Sequence, residues 1–491
     1  MINSITRVAI ADLMHRSGVR FGTSGVRGLV QDLSDELCYA YTLAFLQTAA
    51  EDVAEVVLGH DLRPSSPTIA MACAAAIQAT GMKVIYAGAL PTPALAHYAS
   101  HRGAAAVVVT GSHIPFDRNG IKFYRASGEI SKRDEEAITA ATIALPTTIL
   151  LPPLGDPDPG ATLHYQNRYL HWLGEEALSG MRVAVYQHSS VARDLLVTLL
   201  QQLGATVIPL ERTDTFVPID TEAVSAEDIA RGQRWAEEHD FHAIVSTDGD
   251  SDRPLIGDAQ GHWLRGDMVG LLTAKFLQAK TIVCPISCNS VIERCGLFLR
   301  VERCRIGSPY VIAAMEALCD NPDLVPVVGF EANGGFLLGN DQLRHGRRLT
   351  ALPTRDALLP ILALLMLSRE SQTPLAALAE GLPSRFSASD RITGVTPQQS
   401  QALLQTLRSD LTAAAAQLAP DSGEVIAVNE LDGLRLTFNN GEIVHLRPSG
   451  NAPELRCYSE ADQVARAQQI CQAALQQIAS MAAALQPTAN P

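Results

Sequence analysis

Ala104-Ala105-Ala106-Val107-Val108-Val109-Thr110-Gly111-Ser112-His113-Ile114-Pro115 is an unbroken apolar run that stops in a small, polar, glycine-containing loop. Two further stretches repeat the design. Ala243-Ile244-Val245-Ser246 runs into Thr247-Asp248-Gly249-Asp250-Ser251-Asp252-Arg253, and the run 325–330 ends in Glu331-Ala332-Asn333-Gly334-Gly335. A strand without polar alternation is covered on both faces, which points to a sheet between helices. Shorter Val/Ile-rich runs accompany each: 55–58 and 84–87, 182–186 and 205–210, and 281–285. In such sheets the ligand loops follow the carboxyl ends of the strands. The layout therefore predicts three α/β domains built alike, each offering one loop for chemistry.

The last hundred residues differ. Stretches 425–428, 433–438 and 442–446 read as antiparallel strands, with Asn439-Asn440-Gly441 as a hairpin turn and 463–485 as an alanine-rich helix. The fourth domain is thus α+β. Stretches 151–160, 261–266 and 381–389 read as linkers, giving expected domains 1–155, 156–264, 265–383 and 384–491. A length of 491 residues with 47% apolar content suits several domains with their own cores. The formal net charge of −14 argues against a nucleic-acid partner, which needs a basic face. It does not exclude a small anionic substrate, because a few local cations outweigh a distant total. Nine cysteines are too dilute and too odd in number for a disulfide scaffold, which fits a reducing compartment. The longest apolar run, 357–367, is too short to span a bilayer and contains Pro360. The expectation is a soluble, cytoplasmic protein with no membrane partner.

Four loops can carry chemistry. Asp248, Asp250 and Asp252 alternate just after a strand, so an extended segment points all three the same way. Like charges so gathered call for a cation, and hard oxygens suit Mg²⁺; a solvated acidic turn is the plain alternative. Calcium in an EF-hand is disfavoured, since Arg253 and Ala259 stand where that loop needs Gly and Glu. Ser112 sits at a strand end on a glycine-shaped loop, a place for an exposed nucleophile and equally for a simple turn. No G-x-S-x-G surrounds it, and no G-x-x-x-x-G-K-[ST] occurs in the chain. Lys122 lies near enough in sequence to share a site with Ser112 or to be merely solvated. Arg447-Pro448-Ser449-Gly450-Asn451-Ala452-Pro453 joins a guanidinium to turn-forming amides, a nest for a dianion or a surface turn. The loop 21–28, Phe-Gly-Thr-Ser-Gly-Val-Arg-Gly, fails G-x-G-x-x-G and shows no strand before it.

Taken in order, the loops 21–28, 110–115, 248–253, 331–335 and 447–453 resemble those of the α-D-phosphohexomutase superfamily, over essentially the whole chain. The pair TGSHIP and DGDSDR at this separation is the specific part. The resemblance implies four domains around a central cleft, three related α/β domains with mixed sheets plus a C-terminal α+β domain. It implies a reversible exchange between hexose 1-phosphate and hexose 6-phosphate through a hexose 1,6-bisphosphate, which also serves as activator. It makes Ser112 a phosphoserine and gives the Mg²⁺ its ligands in Ser112, Asp248, Asp250 and Asp252. Arg27 and Arg63 fall beside the phosphoserine, Lys122 and Arg253 assist proton transfer, and His113 shapes the loop. Glu331, Asn333, Gly307 and Ser308 match sugar-contacting segments, and Arg447, Ser449, Gly450, Asn451 and Arg456 match a phosphate-binding loop.

Two departures bear on the sugar. Asn451 stands where the phosphate loop usually has Thr, and Glu331-Ala332-Asn333-Gly334-Gly335 replaces the common Glu-Met-Ser-Gly-His. With the Arg305–Val311 segment, the resemblance favours mannose over glucose, and glucosamine last. Two other classes remain distinct on chemistry: a serine phosphatase that releases phosphate to water, and a non-catalytic sugar-phosphate binder, which needs no phosphorylatable serine. The gathered cations Arg27, Arg63, Lys122, Arg253, Arg447 and Arg456 predict positive binding loops in a negative protein.

Overall fold

The computed structural model describes residues 5–22, 25–449 and 453–484. They form two compact units, one of residues 1–283 with 307–379 and one of 284–306 with 380–491.

Beside two small two-stranded sheets, the first unit contains three larger sheets. In the first, Glu55–His60 lies between Lys83–Ala89 and Ala105–Val109, all parallel. Arg118–Arg125 and then Gly25–Leu29 extend this sheet antiparallel. Its faces are covered as the unbroken runs require: helices Asp35–Thr48 and Ser66–Ala79 share a core with Val56, Leu58, Val107 and Phe123. Gly59 points the other way, where a Cβ would meet Leu95 of helix Thr92–Arg102 at 2.5 Å. The second sheet orders Thr206–Arg212, Arg182–His188 and Ala243–Thr247 parallel, with Pro254–Gly257 antiparallel at the edge. In the third, Thr281–Val283 pairs parallel with Val327–Phe330, followed by antiparallel Phe336–Leu338 and Leu352–Asp356. The sheets are mixed, and each sends a loop from the carboxyl end of a buried parallel strand. The apolar run at 357–367 is the buried helix Leu358–Ser371, whose Pro360 sits in the first turn, where a missing N–H costs no helical bond. Among the described residues no helix is long and apolar enough to cross a membrane.

The second unit is α+β. Its five strands, Phe386–Thr393, Glu454–Ala461, Ile443–Pro448, Leu434–Phe438 and Val425–Asn429, pair antiparallel in that order. Helices Pro397–Ser409, Leu411–Leu418 and Val464–Ala484 pack on one face through Leu404, Leu418, Ile470 and Ile478. The hairpin turn closes as expected, with Gly441 at φ 83° donating its N–H to Phe438 O.

Two expectations change. The stretch 381–389 is not all linker: Phe386–Thr393 is an edge strand registered over eight residues on Glu454–Ala461. Its polar sequence lacks the alternation by which a half-buried strand is recognised. The loop 21–28 does have a strand before it, Arg20–Phe21, a two-residue piece defined only by pairing with Arg27 and Val26.

Candidate active site

Ser112 follows the buried strand Ala105–Val109 by three residues and is itself buried. Its φ of 51° is left-handed, a strained setting for a residue with a side chain. The surroundings hold it there. Ser112 N–H donates to Thr110 Oγ1 at 2.8 Å, and Thr110 Oγ1 donates in turn to Asp61 Oδ2 at 2.9 Å. Beneath the loop, Arg63 donates Nε to Asp61, Nη1 to Pro115 O and Arg118 O, and Nη2 to Ser112 O and Ile114 O. A Cβ at Gly111 would lie 2.6 Å from the guanidinium carbon, so only glycine lets the loop close over it. The resemblance implies that Arg63 falls beside the phosphoserine, as a residue for binding substrate. Here all five of its N–H donors go to protein oxygens, which makes it the brace of the serine loop.

The strained backbone aims Ser112 Oγ at the second loop, where it donates to Asp248 Oδ2 at 2.6 Å. Asp248, Asp250 and Asp252 are fully buried, and one carboxylate oxygen from each lies within 4.8 Å of the others. Lys122, from the strand Arg118–Arg125, bridges two of them, with Nζ 2.6 Å from Asp250 Oδ2 and 2.7 Å from Asp252 Oδ2. The third sheet adds Arg355, 3.0 Å from Asp252 Oδ2 and 3.3 Å from Glu331 Oε2. Loops and strand ends from the three larger sheets of the first unit therefore meet around one charge cluster.

The electrostatics follow from burial and neighbours. Burial, then the charges of Asp250 and Asp252, push the Asp248 carboxyl well above the usual range. Burial also works against ionised Asp252, but Arg355, Lys122 and Arg253 outweigh it and hold that carboxyl low. Arg253 Nη1 donates to His113 Nδ1 at 2.9 Å. That donation needs a bare Nδ1, so the imidazole is neutral with its proton on Nε2. The Arg253 charge, burial and Arg27 all press His113 the same way, far below its ordinary pKa. Burial first, then Arg253 and Arg355, lower the Arg27 guanidinium to about 10. Its Nη2 is buried without a hydrogen-bond partner. Cations crowded with unused donors are suited to an anion.

The acidic loop fits a hard divalent cation. Asp250 Oδ1 and Asp252 Oδ1 are buried without a hydrogen bond, and three converging carboxylates need positive charge beyond Lys122. Thr92 braces the loop from helix Thr92–Arg102: its Oγ1 donates to Asp250 Oδ2 at 2.6 Å and its N–H to Asp250 O at 3.0 Å.

The loop 331–335 is a tight turn. Gly335 N–H donates to Asn333 Oδ1 at 2.9 Å, and Thr221 Oγ1 donates to Asn333 O at 2.7 Å. Gly307, at φ 129°, precedes helix Ser308–Cys319, and Ser308 Oγ donates to Glu129 Oε2. Thr354 takes the other oxygen of Glu129. In the second unit, Arg447 and Arg456 stand opposite each other on paired strands, and Arg447 Nε donates to Asp432. Ser449 N–H donates to Glu454 O, while Gly450 and Asn451 lie outside the described residues. Asp61, Thr92, Glu129 and Arg355 escaped the sequence reading, although Asp61 and Arg355 both stand at strand ends.

Four models of one family match in sequence order. Phosphoglucomutase/phosphomannomutase alpha/beta/alpha domains I, II and III match residues 18–146, 165–261 and 265–386, and its C-terminal domain matches 397–477. A phosphomannomutase of Salmonella muenchen is 46% identical over 473 residues, covering 96% of this chain and 97% of its own. A phosphomannomutase of Sinorhizobium fredii is also 46% identical, over 456 residues, with 91% and 95% covered. In fold, the chain is similar to a phosphoglucomutase/phosphomannomutase family protein of Burkholderia thailandensis. Its TM-score is 0.72 at 19% identity, with 98% and 99% covered.

Proposed function

Because the chain belongs to the phosphoglucomutase/phosphomannomutase family, we propose that it interconverts mannose 1-phosphate and mannose 6-phosphate, with Ser112 as the phosphoryl carrier and Mg²⁺ as its metal. The single observation that carries this reading is the contact of Ser112 Oγ with Asp248 inside a cluster of three buried carboxylates and Lys122. Mannose is supported by 46% likeness to two phosphomannomutases over nearly their whole length. A phosphoglucosamine mutase of Deinococcus radiodurans reaches 31% over 74% of the chain.

Asp248, Asp250, Asp252 and a phosphorylated Ser112 would hold Mg²⁺, which supplies charge stabilisation to a transferring phosphoryl group. The remaining work falls to the chain. A sugar hydroxyl oxygen bonds to the phosphorus as the bond from phosphorus to Ser112 Oγ breaks, and the hydroxyl proton passes, with Lys122 and Arg253 assisting, to the freed Ser112 Oγ. The product is a hexose 1,6-bisphosphate. After it turns end for end, Ser112 Oγ takes the other phosphoryl group and the proton returns to the freed sugar oxygen. Arg27, with its unpartnered Nη2, and Arg253 stabilise the charge on the moving group, and neutral His113 keeps Arg253 in place. Glu331 accepts from sugar hydroxyls. Arg447, Ser449, Gly450, Asn451 and Arg456 bind a phosphate group, and Gly307 and Ser308 border the sugar. The odd, dilute cysteines support a cytoplasmic setting.

A coupled assay tests this. With Mg²⁺ and a hexose 1,6-bisphosphate primer, mannose 1-phosphate should turn over faster than glucose 1-phosphate or glucosamine 1-phosphate, and a chelator should stop it. Steady release of inorganic phosphate without any bisphosphate requirement would make the protein a phosphatase and overturn the proposal.

A further inference from the structure

The loop Glu331-Ala332-Asn333-Gly334-Gly335 carries an acid but no basic residue of its own. Its cation comes from Arg355, on the neighbouring strand Leu352–Asp356, which pairs with the strand that leaves the loop. Arg355 is buried to within 1% of full cover. Its stem lies over the loop: a Cβ at Gly335 would stand 2.9 Å from Arg355 Cδ and 3.0 Å from Cγ. The loop is therefore bare at residue 335 because an arginine from another strand fills that space.

The two ends of the guanidinium differ in what depends on them. Nη2 lies 3.0 Å from Asp252 Oδ2, and Asp252 also has Lys122 at 2.7 Å and Arg253 at 3.6 Å. Nη1 donates to Glu331 Oε2 at 3.3 Å, and among the described residues Arg355 is the one cation within 4 Å of Glu331. The strand is anchored on either side of Arg355. Thr354 Oγ1 donates to Glu129, and Asp356 accepts from Tyr165, Tyr169 and Leu358 N–H. These contacts leave the guanidinium little freedom.

We infer that Arg355 is a positioning residue for sugar binding: it fixes the Glu331 carboxylate, and with it the loop that meets the hexose, while Asp252 keeps two other cations. The inference rests on the mutase reading of the site. Its signature is a split between the two kinetic constants. Loss of Arg355 removes one charge-assisted hydrogen bond from Glu331, which corresponds to about a tenfold or greater rise in KM. Asp252 keeps Lys122 and Arg253, so the rise in KM should exceed any fall in kcat.

The experiment measures kcat and KM for mannose 1-phosphate, at saturating Mg²⁺ and primer, in wild type, Arg355→Met, Arg355→Lys, Arg355→Ala, Gly335→Ala and the Arg355→Ala/Gly335→Ala pair. Arg355→Met should raise KM by the stated amount, and Arg355→Lys should restore part of it. Gly335→Ala should raise KM by displacing the arginine stem, and should add less when Arg355 is already alanine, where a Cβ still stands 3.1 Å from Asn333 Oδ1. A KM within twofold of wild type in both Arg355→Met and Arg355→Lys overturns the inference, as does a fall in kcat with KM unchanged. If Arg355→Met does not fold by circular dichroism, Arg355→Lys and the Gly335 pair decide alone. A wild type inert towards every hexose phosphate would instead overturn the mutase reading itself.

Discussion

Replacing Arg63 with methionine keeps the volume beneath the serine loop and removes everything that holds the loop down. Five hydrogen bonds go at once, one of them the ion pair to Asp61. Part of the damage is buffered. Asp61 still accepts from Ser66 Oγ, Thr110 Oγ1, Gly111 N–H and the backbone N–H of residue 63, and Pro115 O still accepts from Arg118 N–H. Ser112 O, Ile114 O and Arg118 O lose this donor. Breaking a buried ion pair by removing one member costs ~3–5 kcal/mol. For the first unit of about 350 residues, at ~2.1 cal/mol/K of unfolding entropy per residue, ~4 kcal/mol lowers the unfolding midpoint by roughly 5 °C. The catalytic effect should be larger than the stability effect suggests, because Ser112 holds its left-handed backbone only while the loop is tied. A displacement of the order of 1 Å costs about a hundredfold in rate. Thermal unfolding and steady-state kinetics of Arg63→Met check both numbers. If Arg63 instead held substrate, KM would rise while the unfolding midpoint stayed put, and that result would refute the brace.

Two further outcomes follow from neighbouring geometry. Thr92→Val removes the O–H that donates to Asp250 Oδ2 and leaves the backbone donation to Asp250 O intact. The Mg²⁺ concentration for half-maximal activity should rise about tenfold, with the rate at saturating Mg²⁺ near wild type; an unchanged titration counts against the bracing of the metal loop. His188 is fully buried, shares its Nε2–H with Thr247 O at 2.9 Å, and is held by burial at about 4. Its folded pKa lies below the unfolded value of ~6.5, so the unfolded chain takes up the proton first as pH falls. Stability present above pH ~6.5 is then lost towards pH ~4, by ~3 kcal/mol at full extent. Urea midpoints at pH 7.5 and 5 should differ for wild type and much less for His188→Gln. Equal wild-type midpoints would contradict the assignment.

The fold was legible where local pattern and burial agree. Ala105–Val109, Ala243–Thr247 and Thr281–Pro285 are buried throughout, and the unbroken apolar run in each announces a strand covered on both faces. Phe386–Thr393 was hidden because an edge strand half open to water needs no apolar residue at most positions. At the site, Ser112 and the three aspartates stand in one short loop each, so their chemistry shows in linear order. Arg355 does not: its partners Asp252 and Glu331 are 103 and 24 residues away; the register of the third sheet brings Glu331 to it, and Asp252 arrives on the loop of the second sheet. Arg63 was visible as a cation near the serine, but whether its donors face a ligand or the loop carbonyls depends on contacts some fifty residues apart.

Intact mass of the purified protein after incubation with a hexose 1,6-bisphosphate, read beside mannose 1-phosphate turnover, tests the centre of this account. Wild type should carry a fraction heavier by one phosphate and should turn over, and Ser112→Ala should lose both. A Ser112→Ala protein that still gains the phosphate and still turns over would contradict it.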